Sequence, residues 1–373
     1  MSKFATLHDS YGQSLWLDYI DRDLLVNGEL RRLIEAGIRG VTSNPTIFQH
    51  AISEGRLYDD SIRAVLEADP DADAQQLYQA LTVEDVQMAA DQLLPLYRQS
   101  AGGDGYVSLE VSPRLADDSA GTVDAARQLW RAVDRPNLMV KVPATRAGLP
   151  AITTLIGEGI NVNVTLLFSN SRYSEVMDAY ISGLAKHPDP GTVASVASFF
   201  VSRVDGRVDA ALARHDSPEA AALRGRVAIA NATLAYSRFR ERFASDDFLA
   251  LQARGARVQR PLWASTSTKN PEYRDVLYLE SLIGRNTVNT VPPATLEAFE
   301  DHGELRSALE GEQGGAEAEQ ALASLSRLGI DLSQVTDELE RDGVAKFADS
   351  YDALLELLEQ KRAALGSAPV AGV

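Results

Sequence analysis

Short apolar runs typical of β-strands recur along this chain, and segments with helical spacing separate them. We assign eight strands, at residues 15–20, 40–43, 106–111, 138–142, 160–167, 193–201, 258–264 and 287–291. Several of these runs are apolar on both faces, as parallel strands covered by helices must be. Eight strands that alternate with helices predict an α/β fold, a (β/α)8 TIM barrel, rather than an open doubly wound sheet. No glycine-rich dinucleotide fingerprint follows any of the strands, which favours the same fold.

The length of 373 residues allows such a barrel to carry extra helices. Two of the connections are long and helical, and they predict helical insertions at about residues 46–104 and 204–256. We therefore predict a barrel domain over residues 1–293 and a C-terminal helical extension over residues 294–373.

The C-terminal extension contains an amphipathic segment. Its large apolar residues recur at helical spacing and share one face: Phe347, Tyr351, Leu354 and Leu358. We expect this helix to pack on the barrel through that face. The glycine-rich segment 311–315 predicts a loop, and we expect the tail 366–373 to be disordered.

The net charge of −17 restricts the partners of the protein. Nucleic-acid binding needs a basic face, and an anionic membrane surface would repel this chain. Any phosphate site must therefore be a local basic pocket. No apolar run has the length of a membrane span, and residues 1–6 lack a signal-peptide pattern. We expect a cytoplasmic protein that binds neither nucleic acid nor membranes, and the sequence leaves a homo-oligomer open.

Cysteine and histidine do not indicate a metal site. The chain has no cysteine, which excludes disulfides, thiolate metal sites and a cysteine nucleophile. The histidines lie in predicted loops and helices without the spacing of metal ligands. They are His8, His50, His187, His215 and His302. We expect no metal, and we assign these histidines no catalytic role.

Lys141 interrupts the apolar run Leu-Met-Val-Lys-Val-Pro, which is typical of a buried strand. Burial disfavours the ammonium group, so a lysine at this position requires an explanation. Only six of the 36 basic residues are lysines. Lysine, unlike arginine, can lose its proton and become a nucleophile. The alternative is a lysine at a strand end whose ammonium group reaches water.

Polar residues lie near the C-terminal ends of almost all the predicted strands. In a barrel of this type those ends meet at one face, where active sites are built. The residues are Asp18, Thr42, Asn44, Glu110, Lys141, Asn163, Thr165, Ser198, Arg203, Ser265, Ser267 and Lys269. A single polar strand end is usually a cap or a turn, but so many on one face predict a functional site.

These residue types indicate carbonyl chemistry. A desolvated lysine can attack a ketone and form a Schiff base, whose iminium accepts electrons from a breaking C–C bond. Asp18 and Glu110 lie in apolar strands, where burial can tune carboxylates for proton transfer. Asparagine, threonine and serine suit sugar hydroxyls, while Arg203 and Lys269 offer cations for a phosphate.

Several of these residues could instead have a purely structural role. Asp18 could cap a helix, although an aspartate inside an apolar strand is rare unless it is paired. Residues 42–45 could form only a turn, because Asn-Pro favours one. Asn163 could be a satisfied buried amide, Arg203 could form a surface ion pair with a nearby aspartate, and Lys269 could lie in an exposed loop.

A series of motifs over about residues 15–293 resembles the transaldolase family, in its longer form with a C-terminal helical extension. The motifs, in chain order, are LWLDYI around Asp18, GVTSNPTIF at 40–48, VSLEVSPRLADD at 107–118, VKVPAT around Lys141, GINVNVTLLFS at 159–169, SFFVSRVDGRVD at 198–209 and WASTSTKNP at 263–271. The resemblance implies a circularly permuted class I aldolase barrel that uses neither a metal nor a cofactor.

The resemblance also implies roles for individual residues. Lys141 is similar to the Schiff-base lysine, and Asp18 to the acid/base that handles the proton of the sugar hydroxyl. Glu110 and Thr165 resemble the pair that positions a water for the carbinolamine and imine steps. The implied substrate contacts are Asn44, Asn163 and Ser198 to the dihydroxyacetone part, with Thr42 nearby, and Arg203 to the phosphate.

The second phosphate contact departs from the family's commonest pattern. Many transaldolases have a Ser-Phe-Arg-Asn run, whereas this chain has Ser-Thr-Ser-Thr-Lys-Asn at 265–270. We take Lys269 as the substitute for the arginine, with Ser267 assisting and Ser265 beside it. Lysine binds phosphate as a point charge, without the bidentate fork of arginine.

The implied reaction converts sedoheptulose 7-phosphate and glyceraldehyde 3-phosphate into erythrose 4-phosphate and fructose 6-phosphate, reversibly, in the non-oxidative pentose phosphate pathway. One alternative is the related fructose 6-phosphate aldolase, which releases free dihydroxyacetone. By resemblance, Glu110 and Phe200 favour transfer, since the aldolases carry Gln and Tyr there. Another alternative is a catalytically silent sugar-phosphate-binding barrel, but such a protein needs no buried lysine nucleophile.

Overall fold

Eight parallel strands form a closed barrel in the computed structural model, which describes residues 2–53 and 56–366. Each strand pairs with the next in chain order, and the eighth pairs with the first. The strands are β1 (Gln13–Leu17), β2 (Gly40–Thr42), β3 (Tyr106–Glu110), β4 (Leu138–Pro143), β5 (Val162–Leu167), β6 (Ser195–Phe200), β7 (Arg260–Ala264) and β8 (Thr287–Val291). The predicted (β/α)8 barrel is confirmed.

Most strands are shorter than the apolar runs that predicted them. Ile160, Val193 and Ala194 lie outside β5 and β6, yet all three are buried. An apolar run indicates that its residues are buried, and in this protein the buried residues continue past the ends of the hydrogen-bonded strands. At the first strand the prediction was wrong about Asp18, because β1 ends at Leu17 and the carboxylate follows it in a bend.

Helices connect the strands and surround the barrel. In chain order they are α1 (Lys3–Tyr11), α2 (Arg22–Val26), α3 (Glu29–Ala36), α4 (Pro45–Ser53), α5 (Asp59–Ala68), α6 (Ala74–Gln99), α7 (Ser119–Val133), α8 (Gly148–Gly157), α9 (Asn170–Lys186), α10 (Ser202–Leu212), α11 (Pro218–Leu223), α12 (Val227–Arg242), α13 (Asp246–Gln252), α14 (Leu277–Ser281), α15 (Pro293–His302), α16 (Glu312–Arg327) and α17 (Leu332–Gly366).

The two long connections hold several helices each. Helices α4–α6 lie between β2 and β3, and α10–α13 lie between β6 and β7. The first group is anchored by the buried Arg22, whose Nε donates to Asp85 Oδ1 at 2.6 Å and whose Nη1 donates to Ser61 Oγ at 3.0 Å. Because this ion pair is desolvated, removing one partner would leave a buried charge without compensation.

The C-terminal helices pack on the rest of the molecule. Helix α16 contacts α12, and α17 contacts α4, α5, α6, α10 and strand β5. The loop predicted at 311–315 is wrong, because α16 begins at Glu312. Packing against α12 outweighs the low helix propensity of the two glycines there. Of the predicted disordered tail, residues 367–373 lie outside the described residues, and the domain boundary at 293 stays a prediction.

A tryptophan fills the barrel interior at the first two strands. Trp16 is fully buried, and its indole ring lies against the backbone of Gly40 on the neighbouring strand. A Cβ atom at position 40 would lie 2.5 Å from Trp16 Cδ2, which is a clash. Glycine at this position is therefore required by the close approach of the ring.

An ion-pair network lies at the N-terminal end of the barrel. Asp104 is buried and accepts hydrogen bonds from Arg39 Nε at 2.7 Å, Arg260 Nη2 at 2.9 Å and Ser14 Oγ at 2.8 Å. Burial by itself would raise the pKa of Asp104, but Arg260 and Arg39 together hold it below its usual value. This network ties the first and seventh strands together at the end opposite the predicted site.

Candidate active site

A cavity of about 460 Å³ opens at the C-terminal ends of the strands. The predicted site residues in its wall are Asp18, Thr42, Asn44, Lys141, Thr165, Ser198, Phe200, Arg203, Ser265, Ser267 and Lys269. Glu110 and Asn163 lie directly behind this wall, each in contact with a residue that lines it. A larger cavity, of about 680 Å³, lies beside Asp104 at the other end of the barrel and contains none of the predicted residues.

Lys141 is buried on β4 and makes two polar contacts. Its Nζ donates to the carbonyl oxygen of Ser43 at 2.8 Å and lies 3.2 Å from Glu110 Oε2. The pairing of β3 with β4 brings this about, because Glu110 and Lys141 stand directly opposite each other in the register. The result is a buried pair of an amine and a carboxyl group at 3.2 Å, a distance over which a proton can pass between them.

The pKa values of the two carboxyl groups of the site, Glu110 and Asp18, are shifted in the same direction. Burial raises the pKa of Glu110, and the neighbouring Lys141 only partly offsets that effect. Burial also raises the pKa of Asp18, against the opposing effects of Lys141 and a hydrogen bond from Thr42. A raised pKa makes each carboxylate a stronger base than it would be in water, as acid/base catalysis needs.

Asp18 is held by a pair of threonines. Its Oδ1 accepts a hydrogen bond from Thr42 Oγ1 at 2.7 Å, and Thr42 Oγ1 lies 2.6 Å from Thr290 Oγ1. These residues come from the ends of three adjacent strands, β1, β2 and β8. Asp18 does not cap a helix, since the cap of α2 is Asp21. Its second oxygen remains available to face the cavity.

A chain of hydrogen bonds orders the polar side chains of the middle strands. Ser198 Oγ donates to Asn163 Oδ1 at 2.7 Å, and Asn163 Nδ2 donates to Ser108 Oγ at 3.0 Å. Asn163 is therefore a buried amide whose oxygen and nitrogen are both hydrogen-bonded, which agrees with the structural alternative given above for this residue. It contacts Ser198, which lines the wall of the cavity.

Thr165 is a buried hydroxyl without a hydrogen-bond partner among the described residues. The strand β5 has an irregular register between Val164 and Leu167, and the intervening Leu166 adopts a positive φ of 56°. A non-glycine residue in this region is strained, and such strain concentrates at functional sites. An unsatisfied buried hydroxyl that lines a cavity is suited to bind a ligand or a water molecule.

The cationic residues lie at another part of the cavity wall. Arg203 forms no ion pair within the described residues, and its guanidinium contacts the rings of Phe200 and Phe347. The nearby Asp205 instead accepts from Tyr278 Oη and the Ala228 amide. The alternative of a surface ion pair is therefore wrong, and the charge of Arg203 faces a site rich in hydroxyls.

Lys269 is exposed, and its Nζ donates to Ser267 Oγ at 2.9 Å. Ser265, which has a positive φ of 55°, has its hydroxyl 2.9 Å from Ser202 Oγ.

Asn44 has a structural role, because its Oδ1 accepts a hydrogen bond from the Ile47 amide at 3.0 Å in the first turn of α4. Its Nδ2 remains the group that it can offer to a ligand.

The cavity also contains residues that the sequence did not indicate as part of a site. They are Thr46, Ile47, His50, Ala264, Thr290, Pro292 and Phe347. Thr290 lies near the end of β8 and was detectable by the strand-end argument. Phe347 and His50 were not detectable in this way, because they come from helices α17 and α4 rather than from strand ends.

Two properties of the described residues bear on the expected partners. Within residues 2–53 and 56–366, no group of three or more aspartate, glutamate or histidine side chains is close enough to hold a metal ion. In the same ranges, no helix is both long and apolar enough to cross a bilayer.

Comparison with known proteins identifies the family. A family model described as Transaldolase/Fructose-6-phosphate aldolase matches residues 15–358. The chain belongs to the transaldolase family. It is 52% identical to a protein named Transaldolase from Thiobacillus denitrificans over 349 residues, which cover 92% of this chain and 96% of the relative.

Two further relatives support the same assignment. A transaldolase of Mycolicibacterium smegmatis is 50% identical over 92% of this chain and 94% of its own length. A transaldolase of Mycobacterium tuberculosis is 48% identical over 96% of each chain. The predictions of the transaldolase family and of an enzyme of the transferase class are therefore confirmed.

Proposed function

We propose that this transaldolase-family enzyme transfers a dihydroxyacetone unit between sugar phosphates through a Schiff base on Lys141. One observation carries the proposal: the buried Nζ of Lys141 lies 3.2 Å from Glu110 Oε2, in a cavity that also contains Asp18 and Arg203. A nucleophile, a base, a second carboxylate and a cation thus share one site, which is what imine chemistry on a phosphorylated ketose requires. We propose the cytoplasm and the non-oxidative pentose phosphate pathway as its setting.

The covalent step begins at the C2 carbonyl of the donor ketose. Glu110 takes a proton from the ammonium of Lys141, and the free amine attacks the carbonyl carbon to give a carbinolamine. Loss of water, to which Glu110 returns the proton, leaves a protonated Schiff base. The raised pKa of Glu110, which follows mainly from its burial, allows it to serve as base and then as acid.

Bond cleavage is the task of Asp18. Its carboxylate takes the proton of the C4 hydroxyl as the C3–C4 bond breaks, and the bonding electrons move into the iminium to form an enamine. The aldose phosphate leaves as an aldehyde. When an acceptor aldehyde enters, the enamine carbon attacks it, and Asp18 returns the proton to the new hydroxyl. Thr42, which donates to Asp18 Oδ1 at 2.7 Å, keeps the carboxylate oriented through both halves.

Release of the product needs one water molecule. Thr165 Oγ1 is a buried hydroxyl free of protein hydrogen bonds among the described residues. Thr165 lies on β5 and Glu110 on β3, so the two residues flank Lys141 on β4. We infer that Thr165 and Glu110 together bind the water that hydrolyses the imine. The water gives one proton to Glu110 as its oxygen attacks C2, which forms a carbinolamine. Glu110 returns that proton to the nitrogen as the C–N bond breaks, the C2 hydroxyl becomes the carbonyl of the product as its proton passes to the departing amine, and Lys141 is released as the ammonium.

The remaining polar residues hold the sugar. Ser198, ordered by Asn163, and the amide group of Asn44 are the contacts that we assign to the hydroxyls of the dihydroxyacetone part, with Thr42 beside them. Phe200 forms an apolar wall of the cavity. Because the hydrogen bonds within this set are already formed, little side-chain entropy remains to be lost on binding.

Arg203 and Lys269 are the phosphate ligands in this proposal, with Ser267 and Ser265 beside them. Arg203→Ala should weaken phosphorylated substrates by about 1.5–3 kcal/mol, the value of hydrogen bonds to charged groups. Lys269→Ala should have the smaller effect, because Lys269 is exposed and solvent screens its charge. Steady-state kinetics with phosphorylated and unphosphorylated substrates measures both.

A matched control for these two variants is Arg207→Ala. Arg207 lies on the same helix as Arg203 but pairs with Glu338 and Asp342 outside the cavity. It should leave substrate discrimination unchanged. If Arg203→Ala lowered activity equally on phosphorylated and unphosphorylated substrates, the arginine would hold the fold and not the phosphate.

The family model covers fructose 6-phosphate aldolases as well, so free dihydroxyacetone is the rival product. The choice depends on whether the enamine waits for an acceptor or is protonated and hydrolysed. Glu110 and Phe200 favour waiting, since by resemblance the aldolases carry Gln and Tyr at these positions. A tyrosine hydroxyl could support protonation, whereas a phenylalanine cannot.

The experiment that tests the transferase proposal compares turnover with and without an acceptor. With fructose 6-phosphate alone, we expect release of glyceraldehyde 3-phosphate to stop near one equivalent per site. Adding erythrose 4-phosphate should start continuous production of sedoheptulose 7-phosphate, because the acceptor regenerates free enzyme. Fast release of dihydroxyacetone without an acceptor would instead identify an aldolase.

A further inference from the structure

Arg203 is held by aromatic rings instead of carboxylates. Its guanidinium carbon lies 5.0 Å from the centroid of the Phe200 ring and 5.8 Å from the centroid of the Phe347 ring. Both distances are in the range of a cation–π interaction. Among the described residues no carboxylate forms an ion pair with Arg203. The arginine therefore lies in the cavity with its charge uncompensated by a direct partner.

The second ring comes from the C-terminal extension. Phe347 lies on α17, is buried, and lines the same cavity as Lys141. One turn earlier on this helix, Gly343 faces the barrel. A Cβ atom there would lie 2.9 Å from Leu166 Cδ2 and 3.6 Å from Arg203 Nη1, so the glycine allows the helix backbone to approach Arg203 closely. Helix α17 is thus part of the cavity wall, built where β5 has its irregular register.

Aromatic contacts suit a phosphate-binding arginine for a physical reason. A carboxylate partner would occupy the N–H groups of the guanidinium and neutralise the charge that must attract the phosphate. A ring face attracts the cation through its π electrons and leaves the N–H donors at the edge of the guanidinium unoccupied. Those donors are the ones that form a bidentate contact with phosphate oxygens.

We propose that Phe347 is a positioning residue for substrate phosphate. Together with Phe200 it fixes the orientation of the Arg203 guanidinium, so that its N–H edge faces the substrate. The C-terminal extension thereby contributes to the preference for phosphorylated over unphosphorylated sugars. This inference rests on the proposed function at one point, namely that Arg203 is the phosphate ligand.

The test replaces the ring while keeping an apolar side chain. Phe347→Leu should raise the inhibition constant of inorganic phosphate, and the KM of phosphorylated substrates, by roughly three- to tenfold, as loss of a cation–π contact predicts. The rate with unphosphorylated substrates should stay near that of the wild type. Phe347→Tyr retains the ring and should restore most of the phosphate affinity. If Phe347→Leu does not fold, Phe347→Met serves as the second ring-free variant.

A control variant separates this role from helix packing. Leu358 is fully buried on the same helix and does not line the cavity. Leu358→Ala should lower the melting temperature without changing the ratio between phosphorylated and unphosphorylated substrates. If Leu358→Ala changed that ratio as much as Phe347→Leu, general loosening of α17 would explain the effect and the inference would be overturned.

A double-mutant comparison decides whether Phe347 acts through Arg203. In the Arg203→Ala background, Phe347→Leu should cause no further loss of phosphate affinity, because the group that it positions is absent. Two independent, multiplying losses would overturn the inference. Borohydride trapping of the imine on Lys141 and the loss of phosphate affinity in Arg203→Ala test the proposed function separately. If both results are obtained while Phe347→Leu leaves phosphate affinity unchanged, only the role of Phe347 is refuted.

Discussion

Lys141→Arg is expected to abolish turnover, by roughly four orders of magnitude or more, as expected when a covalent nucleophile is removed. Arginine keeps the positive charge next to Glu110 but does not deprotonate in a protein, so it cannot attack a carbonyl. The substitution thus separates nucleophilic attack from electrostatics. The variant should remain folded, since the guanidinium of the arginine can replace the amine of Lys141, which lies 3.2 Å from Glu110 Oε2, as the partner of that carboxylate. Turnover with fructose 6-phosphate and erythrose 4-phosphate measures the effect.

The covalent adduct provides the direct measurement. Incubation of the wild-type enzyme with fructose 6-phosphate and borohydride should inactivate it and leave a reduced three-carbon unit on Lys141. The other lysines are the internal controls: Lys3, Lys186, Lys269, Lys346 and Lys361. Peptide mass mapping should find them unmodified. An adduct on any of them, or no adduct, would contradict the Schiff-base proposal, and the Lys141→Arg variant should yield none.

Asp18→Ala is expected to reduce turnover by about 10²–10⁴-fold, the usual contribution of a positioned acid or base. The variant keeps Lys141 and Glu110, so an imine should still form and be trapped by borohydride. It should not proceed to cleavage, because no group accepts the proton of the C4 hydroxyl. Quench-flow measurement of trapped adduct against released aldose phosphate distinguishes the two steps.

Glu110→Gln provides the complementary result. Glutamine preserves size but not basicity, so imine formation and hydrolysis should slow more than cleavage does. Glu280→Gln is the matched control, since Glu280 is a buried glutamate outside the cavity, bound to Arg274 at 2.8 Å. It should leave the rates unchanged. Wild-type rates in both Asp18→Ala and Glu110→Gln would mean that the two carboxylates have structural roles only.

The barrel could be predicted from the sequence because its evidence is local. Each strand is a short apolar run, and the alternation with helices limits the topology to few choices. Parallel strands in a barrel end at one face, so polar residues at the strand ends are expected to meet there. Lys141, Asp18 and Ser198 could be selected in this way without any knowledge of their neighbours, and all three line one cavity.

The tertiary structure decided how these residues act on one another. The contact between Lys141 and Glu110 depends on the register of β3 against β4, which no local pattern encodes. The same holds for Asn44, whose carbonyl oxygen proved to be engaged at the start of α4. At residues 311–315 a local pattern gave a wrong prediction, since two glycines suggested a loop, whereas packing on α12 stabilises a helix.

The sequence by itself therefore determined the barrel, the order of its strands and the set of polar residues at one face. It could not reveal that Phe347, 144 positions after Arg203 in the numbering, forms part of the same site. The physical reason is that periodicity and composition report what a residue does within its own helix or strand. A contact between distant elements depends on where barrel closure and helix packing bring them, and that is settled by the whole chain at once.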